Sequence, residues 1–274
     1  MAYFIDGKDC MISEWFMLTL ATLCVAAHAY TQMFCVRKKL GLYEILLIAS
    51  ALDGFGLIIC DTLTFQMGVL DHYEASETLS KISFASNYFY DFGMGLPKLS
   101  LLVFYWTSFD FKCHHRIRRM LWIITAFVIA CYLTSLFDDT FFCGQDVSVQ
   151  WSQEEDACSV FYAQEPFILN FTLGLTCYLA VYMIPVILLY HGIFQASTAV
   201  LLTFAAGVLP IASGIVRFIC LKVGTGQENL VYILSMVELA LAIIVASLPG
   251  LKPLLYKLLY INGIGHVAKE GFQA

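Results

Sequence analysis

Seven apolar runs, each long enough to cross a lipid bilayer, constrain this chain more than any other feature. They cover residues 15–36, 42–69, 88–109, 121–144, 165–191, 196–221 and 230–255. About 20 mostly apolar residues in helical form span the roughly 30 Å of hydrocarbon in a membrane. Within that layer every backbone N–H and C=O must find a partner in the protein, which leaves helices or a closed barrel. Barrel strands alternate in polarity at every second residue, and these runs do not. The chain therefore reads as an all-α membrane protein, a bundle of seven transmembrane helices. Composition agrees, with 60% hydrophobic and only 13% charged residues, where a soluble domain carries about 25% charged residues. Too little polar surface exists to cover a water-soluble core, so a soluble enzyme, a disordered chain and a nucleic-acid binder are excluded.

Basic residues orient such a bundle, because short loops rich in Lys and Arg stay cytoplasmic. Arg37, Lys38, Lys39, Lys112, Arg116, Arg118, Arg119, Lys252, Lys257 and Lys269 fall on one side, and only Lys8, Lys81 and Lys222 on the other. The amino end is therefore expected outside and the carboxyl end in the cytoplasm. No cleavable signal is read: acidic residues precede the first run, which is long and ends in Arg37-Lys38-Lys39, the pattern of a signal-anchor. The expected organisation is an extracellular or lumenal amino end (1–14), a seven-helix membrane domain (15–259) and a short cytoplasmic tail (260–274). Cys143 and Cys158 flank an outer loop in an oxidising compartment and are expected to form a disulfide. The remaining cysteines lie mostly in apolar runs, where they act as small hydrophobes. Asn170-Phe171-Thr172 matches a glycosylation sequon but lies inside the fifth run, so no glycan is expected.

Ionisable groups within lipid cost about 2.5–3.5 kcal/mol each on insertion scales, so each needs a reason. At about 1.5 Å per residue, Asp53, Lys98 and Glu238 fall near mid-membrane, and Asp61, Asp91, Asp138, Asp139 and Arg217 near the outer boundary. Lys98 is expected to meet Asp53 or Glu238, and Asp138 and Asp139 to sit in water at the interface. Asp53, Lys98, Arg217 and Glu238 are the candidate ligand-binding or polar-core residues. Such a cluster either fixes helix register or serves a ligand, proton or substrate. Pro97, Pro185, Pro210 and Pro249 lie in or near the runs and bend helices, which opens room for a central cavity.

Other chemistries lack their residues. The seventh run has no lysine between Leu230 and Leu251, so a retinal Schiff base is not expected. His28 and His191 are both placed toward the cytoplasm, and a haem is not expected. There is no phosphate-binding glycine loop, no metal-spaced Cys/His cluster and no Ser-His-Asp motif, so neither a cofactor nor a metal is expected. The basic stretch 112–119 suits anionic lipid or a cytosolic partner.

Four stretches together resemble one family. They are Lys98-Leu99-Ser100-Leu101-Leu102-Val103-Phe104-Tyr105 in the third run, Cys143 with Trp151 and Cys158 after the fourth, and Ile215-Val216-Arg217 in the sixth. The last runs from Glu238 to Ala246-Ser247-Leu248-Pro249-Gly250-Leu251-Lys252-Pro253-Leu254 in the seventh. In order and spacing they resemble the fungal rhodopsin-like integral membrane proteins, found near secondary-metabolite clusters and related to an appressorium receptor. The family's usual Asp seven residues before the fifth-run proline is Tyr178 here, and Trp106-Thr107 replaces its basic pair after Tyr105. The resemblance implies a rhodopsin-like seven-helix fold in the plasma membrane or an endomembrane. It fits a receptor or sensor for a small ligand without retinal. The alternatives are an accessory membrane protein or an intramembrane enzyme of secondary metabolism, such as a terpenoid cyclase with Asp53 or Glu238 as the acid.

Overall fold

A computed structural model describes residues 6–37, 39–70, 76–108, 115–152, 158–161, 163–191, 205–223 and 229–261. Seven α-helices carry the fold among these residues: α1 (Gly7–Tyr30), α2 (Leu42–Gln66), α3 (Glu77–Ser108), α4 (His115–Phe141), α5 (Gln164–Tyr190), α6 (Val208–Val223) and α7 (Asn229–Ile261). A π-helical turn, Thr31–Cys35, continues α1, and a short 3-10 turn, Val147–Trp151, follows α4. Five spans are long and apolar enough to cross a membrane on their own: Gly7–Cys35, Leu42–Gln66, His115–Phe141, Gln164–Tyr190 and Asn229–Leu251. At about 1.5 Å per residue, α3 is also long enough to cross. Its charged residues, Glu77, Lys81, Asp91 and Lys98, are spread along its length.

Helix ends differ from the apolar runs, because hydropathy marks where lipid begins and not where a helix begins. The first helix starts at Gly7, so residues 7–14 of the expected amino end are helical, and Cys10 and Glu14 are buried. The third starts at Glu77, where Ser76 Oγ accepts the Leu79 N–H at 3.1 Å and satisfies one of the free donors of the first turn. The second starts after Gly41, whose N–H donates to Glu44 Oε2 at 2.7 Å. In the sixth run, 196–204 and the whole connection before it, 192–195, lie outside the described residues, as do Lys112, Cys113 and the tail beyond Ile261.

Neighbouring helices pack in sequence order around a ring, α7 closes against α1, and α3 also touches α5 and α7, which places it through the middle. On α1 the buried positions Met11, Glu14, Leu18, Ala21, Val25 and His28 repeat every three or four residues, the stripe of a helix with one inward face. Polarity is inverted relative to a water-soluble protein. Phe16, Leu23, Trp122 and Phe137 are exposed on the outside of the bundle, while Glu14, Asp61, Lys98, Asp139 and Glu238 are buried. Only a solvent without hydrogen-bonding capacity favours that arrangement, so the chain is a multi-pass membrane protein whose outer partner is lipid.

At one end of the bundle Cys143 and Cys158 are disulfide-bonded, as expected from the sequence. The loop they close is pinned by Gln150, whose Nε2 donates to the carbonyls of Asp139 (2.9 Å) and Thr140 (3.3 Å). These carbonyls belong to the last turn of α4 and have no helical partner. Asp146 opens the 3-10 turn by accepting the Ser148 N–H at 3.0 Å and the Ser148 hydroxyl at 2.7 Å. Those two bonds hold its carboxyl below the usual aspartate range. At the opposite end, Tyr43 OH donates to Ala246 O at 2.6 Å and His28 Nδ1 lies 2.9 Å from Ser247 O. Both carbonyls belong to the stretch of α7 around Pro249, and both are buried groups that would cost about 1–3 kcal/mol if left unpaired. Gly250 makes this junction, because a Cβ there would overlap the His28 ring.

Candidate functional site

The site is built on α3. Tyr90, Asp91, Met94 and Lys98 recur at helical spacing and turn toward the bundle interior. Pro97 has no N–H to offer the Gly93 carbonyl, and its ring disturbs the turn before it. The neighbouring Met94 carbonyl is used by side chains: Tyr132 OH donates to it at 2.8 Å and Lys98 Nζ at 3.1 Å. Gly95 lets the Tyr132 ring lie against α3, since a Cβ would come within 2.8 Å of that ring. Lys98 Nζ also donates to Tyr132 OH at 3.1 Å and sits 3.7 Å from the centre of the Tyr178 ring.

The expected ion pair of Lys98 with Asp53 or Glu238 is therefore not formed. Among the described residues Lys98 has no carboxylate within ion-pair distance. The π-face of Tyr178 and two oxygen acceptors take its place, a satisfactory setting for a desolvated ammonium group. Asp53 lies elsewhere, against the backbone at Gly93, where a Cβ would overlap its Oδ2. That oxygen is buried without a hydrogen-bond partner among the described residues.

Glu238 instead pairs with Arg217, whose Nε donates to Glu238 Oε2 at 3.1 Å. Tyr90 OH donates to the same oxygen at 2.8 Å. The guanidinium carbon stands 4.4 Å from the centre of the Tyr90 ring and 5.8 Å from that of Phe167. Gly214 gives Glu238 its room, because a Cβ there would lie 2.8 Å from Oε1. The separation of Arg217 and Glu238 into two layers is thus bridged by the length of the arginine side chain.

Above this pair lies a second cluster. Asn170 Nδ2 donates to Asp91 Oδ2 at 2.9 Å and to Asp139 Oδ1 at 3.3 Å, and Asn87 Nδ2 donates to Asp139 Oδ1 at 2.8 Å. Asp139 is fully buried rather than in interfacial water, because helix rotation turns it into the bundle while Asp138 stays half-buried. Asn170, the sequon residue, is occupied in this network. A third cluster joins α1 to α2 and α3: Cys10 Sγ donates to Glu14 Oε1 at 3.2 Å, Glu14 lies against Asp61, and Ser86 Oγ donates to Asp61 Oδ1 at 3.3 Å.

Two cavities meet at Arg217. The smaller, about 40 Å³, lies beneath it between Lys98, Tyr132, Tyr178 and Glu238. The larger, about 350 Å³, opens toward the disulfide end between α2, α3, α5, α6 and α7, with Asp61, Asp91, Asn170 and Arg217 on its polar side. Sequence reasoning found Arg217 and Glu238 but not Tyr90, Tyr132, Asn170 or Glu14. The first two were hidden among 15 tyrosines. Asn170 carries a signal, a sequon in an apolar run, whereas Glu14 falls in the expected amino end 1–14, just before the first run.

Seven helices in a ring, an inside-out polarity and a polar core below a cavity define a rhodopsin-like membrane bundle. The fungal rhodopsin domain matches residues 12–257, nearly the whole chain, and the protein belongs to that family. No curated protein and no solved structure matches the chain.

Proposed function

We propose that this fungal rhodopsin-like protein is a seven-helix receptor or sensor for a small ligand that enters at the disulfide-bridged end. The observation that carries the proposal is the cavity of about 350 Å³ above Arg217. Its volume lies in the range of small-molecule sites, about 300–1,000 Å³. A ligand touching Arg217 shares the guanidinium with Glu238 and so weakens or redirects their pairing. Glu238 sits on α7, which carries Pro249, and Tyr90, which donates to the same Glu238 oxygen as Arg217, sits on α3, which carries Pro97, so a change in this pairing reaches two proline-containing helices. Arg116, Arg118 and Arg119 are exposed at the far end, at the start of α4. They are the proposed docking surface for a cytosolic partner within the basic 112–119 stretch, which is helical from His115 on. Basic-residue distribution supports placing the disulfide end outside and the carboxyl end in the cytoplasm.

Intramembrane acid catalysis is less well supported, because Glu238 Oε2 already accepts from both Arg217 and Tyr90. The test is thermal unfolding of the protein in nanodiscs across a panel of small amphipathic molecules, beside Ser235→Trp, which fills the larger cavity. A ligand at a hundred times its Kd stabilises by about 2.7 kcal/mol. At least one compound is expected to stabilise the parent protein and not the variant. If none separates them, the accessory reading replaces this one.

A further inference from the structure

We propose that the cavity above Arg217 takes a carboxylic acid: a small molecule with one carboxylate and a mainly apolar body, its carboxylate seated on the two terminal amines of Arg217. The inference rests on the ligand-binding reading of the same cavity and adds the chemistry of what binds. Arg217 borders both cavities, and only its Nε is engaged, by Glu238. Among the described residues its two Nη amines meet no acceptor. The guanidinium is also held over the Tyr90 ring, 4.4 Å from its centre, with the Phe167 ring centre at 5.8 Å. A fixed planar fork with free N–H groups matches a carboxylate in two parallel bonds.

The remaining walls select the rest of the molecule. Leu57, Leu79, Val160, Phe167, Leu221 and Val231 line the space above the guanidinium, which suits an apolar body. A single arginine is a poor match for a phosphate dianion, and the nearest other cation on the wall, Lys222, donates to Gln164 Oε1 at 3.2 Å. Asp61 and Asp91 also border the cavity, and both are engaged. Asp91 is bonded by Asn170 and abuts Asp139; Asp61 is bonded by Ser86 and abuts Glu14.

The experiment compares naphthylacetate, naphthylethanol and naphthylethylamine, which share one ring system and differ in head group. Each is titrated against the protein in nanodiscs, with thermal unfolding as the readout. Naphthylacetate is expected to stabilise with a half-saturation about tenfold or more below that of the alcohol, the order expected of a charge-assisted bond. Arg217→Gln combined with Glu238→Gln keeps a neutral pair in place and is expected to abolish the preference for the acid. Equal stabilisation by acid and alcohol overturns the carboxylate inference and leaves the ligand cavity standing. Stabilisation by the amine alone overturns it in favour of a cation at Asp61 and Asp91. An acid preference that survives the double variant moves the anchor away from Arg217 and also overturns it. If no probe stabilises and Ser235→Trp unfolds like the parent across the wider panel, both readings fall.

Discussion

Removing one member of the Arg217–Glu238 pair is expected to cost more than removing both. The two charges are 3.1 Å apart, with side-chain exposures of 11% and 7%. At an effective dielectric constant of about 20 their gross attraction is about 5 kcal/mol. Several kcal/mol per ion are lost on taking them out of water, so the pair as a whole is close to neutral. A single substitution keeps one desolvation penalty and loses the attraction. Arg217→Gln leaves Glu238 with only Tyr90, and Glu238→Gln leaves a buried guanidinium on the Tyr90 ring. Each is expected to destabilise by about 3–5 kcal/mol, and the double Gln variant by less than either. Reversible denaturant unfolding in bicelles, run as a double-mutant cycle, reads the coupling. It should exceed the maximum of about 1.7 kcal/mol seen for ordinary hydrogen bonds between membrane helices. Additive single effects, or single effects below about 1 kcal/mol, would refute a desolvated ion pair at this position.

Tyr178→Leu removes the π-face beside Lys98 and should cost about 1–2 kcal/mol, whereas Tyr178→Asp gives the ammonium a carboxylate. The Asp variant should tolerate heating only while Lys98 is present, which adding Lys98→Met tests. Gly250→Val should displace His28 from the Ser247 carbonyl and lower the melting temperature by several degrees, since a buried carbonyl loses its partner at about 1–3 kcal/mol. Cys143→Ser should cost about 3 kcal/mol by releasing a loop with a sequence separation of 15, with loss of the mobility change on reduction in a gel. Asp146 contributes its turn-opening bonds at neutral pH, and because its carboxyl is held below the usual range, that contribution should vanish only as the pH falls below about 3.9. Amide exchange at Ser148 against pH would report it.

Helix number was legible in the apolar runs, because twenty-odd residues of lipid-compatible sequence have one structural solution. The ends are less legible: Gly7 to Glu14 and Glu77 to Asn87 are helical outside the apolar runs, since backbone pairing continues past the hydrocarbon. Lys98, Arg217 and Glu238 stood out by the cost of charge in lipid. Their partners did not, because pairing depends on helix rotation and side-chain reach. Arg217 spans the gap to Glu238 by its length, while Lys98 turns to the carbonyl at Met94 and the ring of Tyr178. A tyrosine at position 178 is intelligible on that ground, for its aromatic face receives the ammonium that a carboxylate would otherwise meet.

Cys35 ends the π-helical turn after α1 and is exposed, while the other described free thiols are buried or half-covered. It lies at the end of the bundle opposite the disulfide. A membrane-impermeant maleimide applied to sealed vesicles of known sidedness from the membrane that holds the protein would therefore leave it unmodified if that end faces the vesicle interior and alkylate it if it faces outward. The chain thus carries its own chemical reporter of sidedness, with no added epitope to disturb insertion.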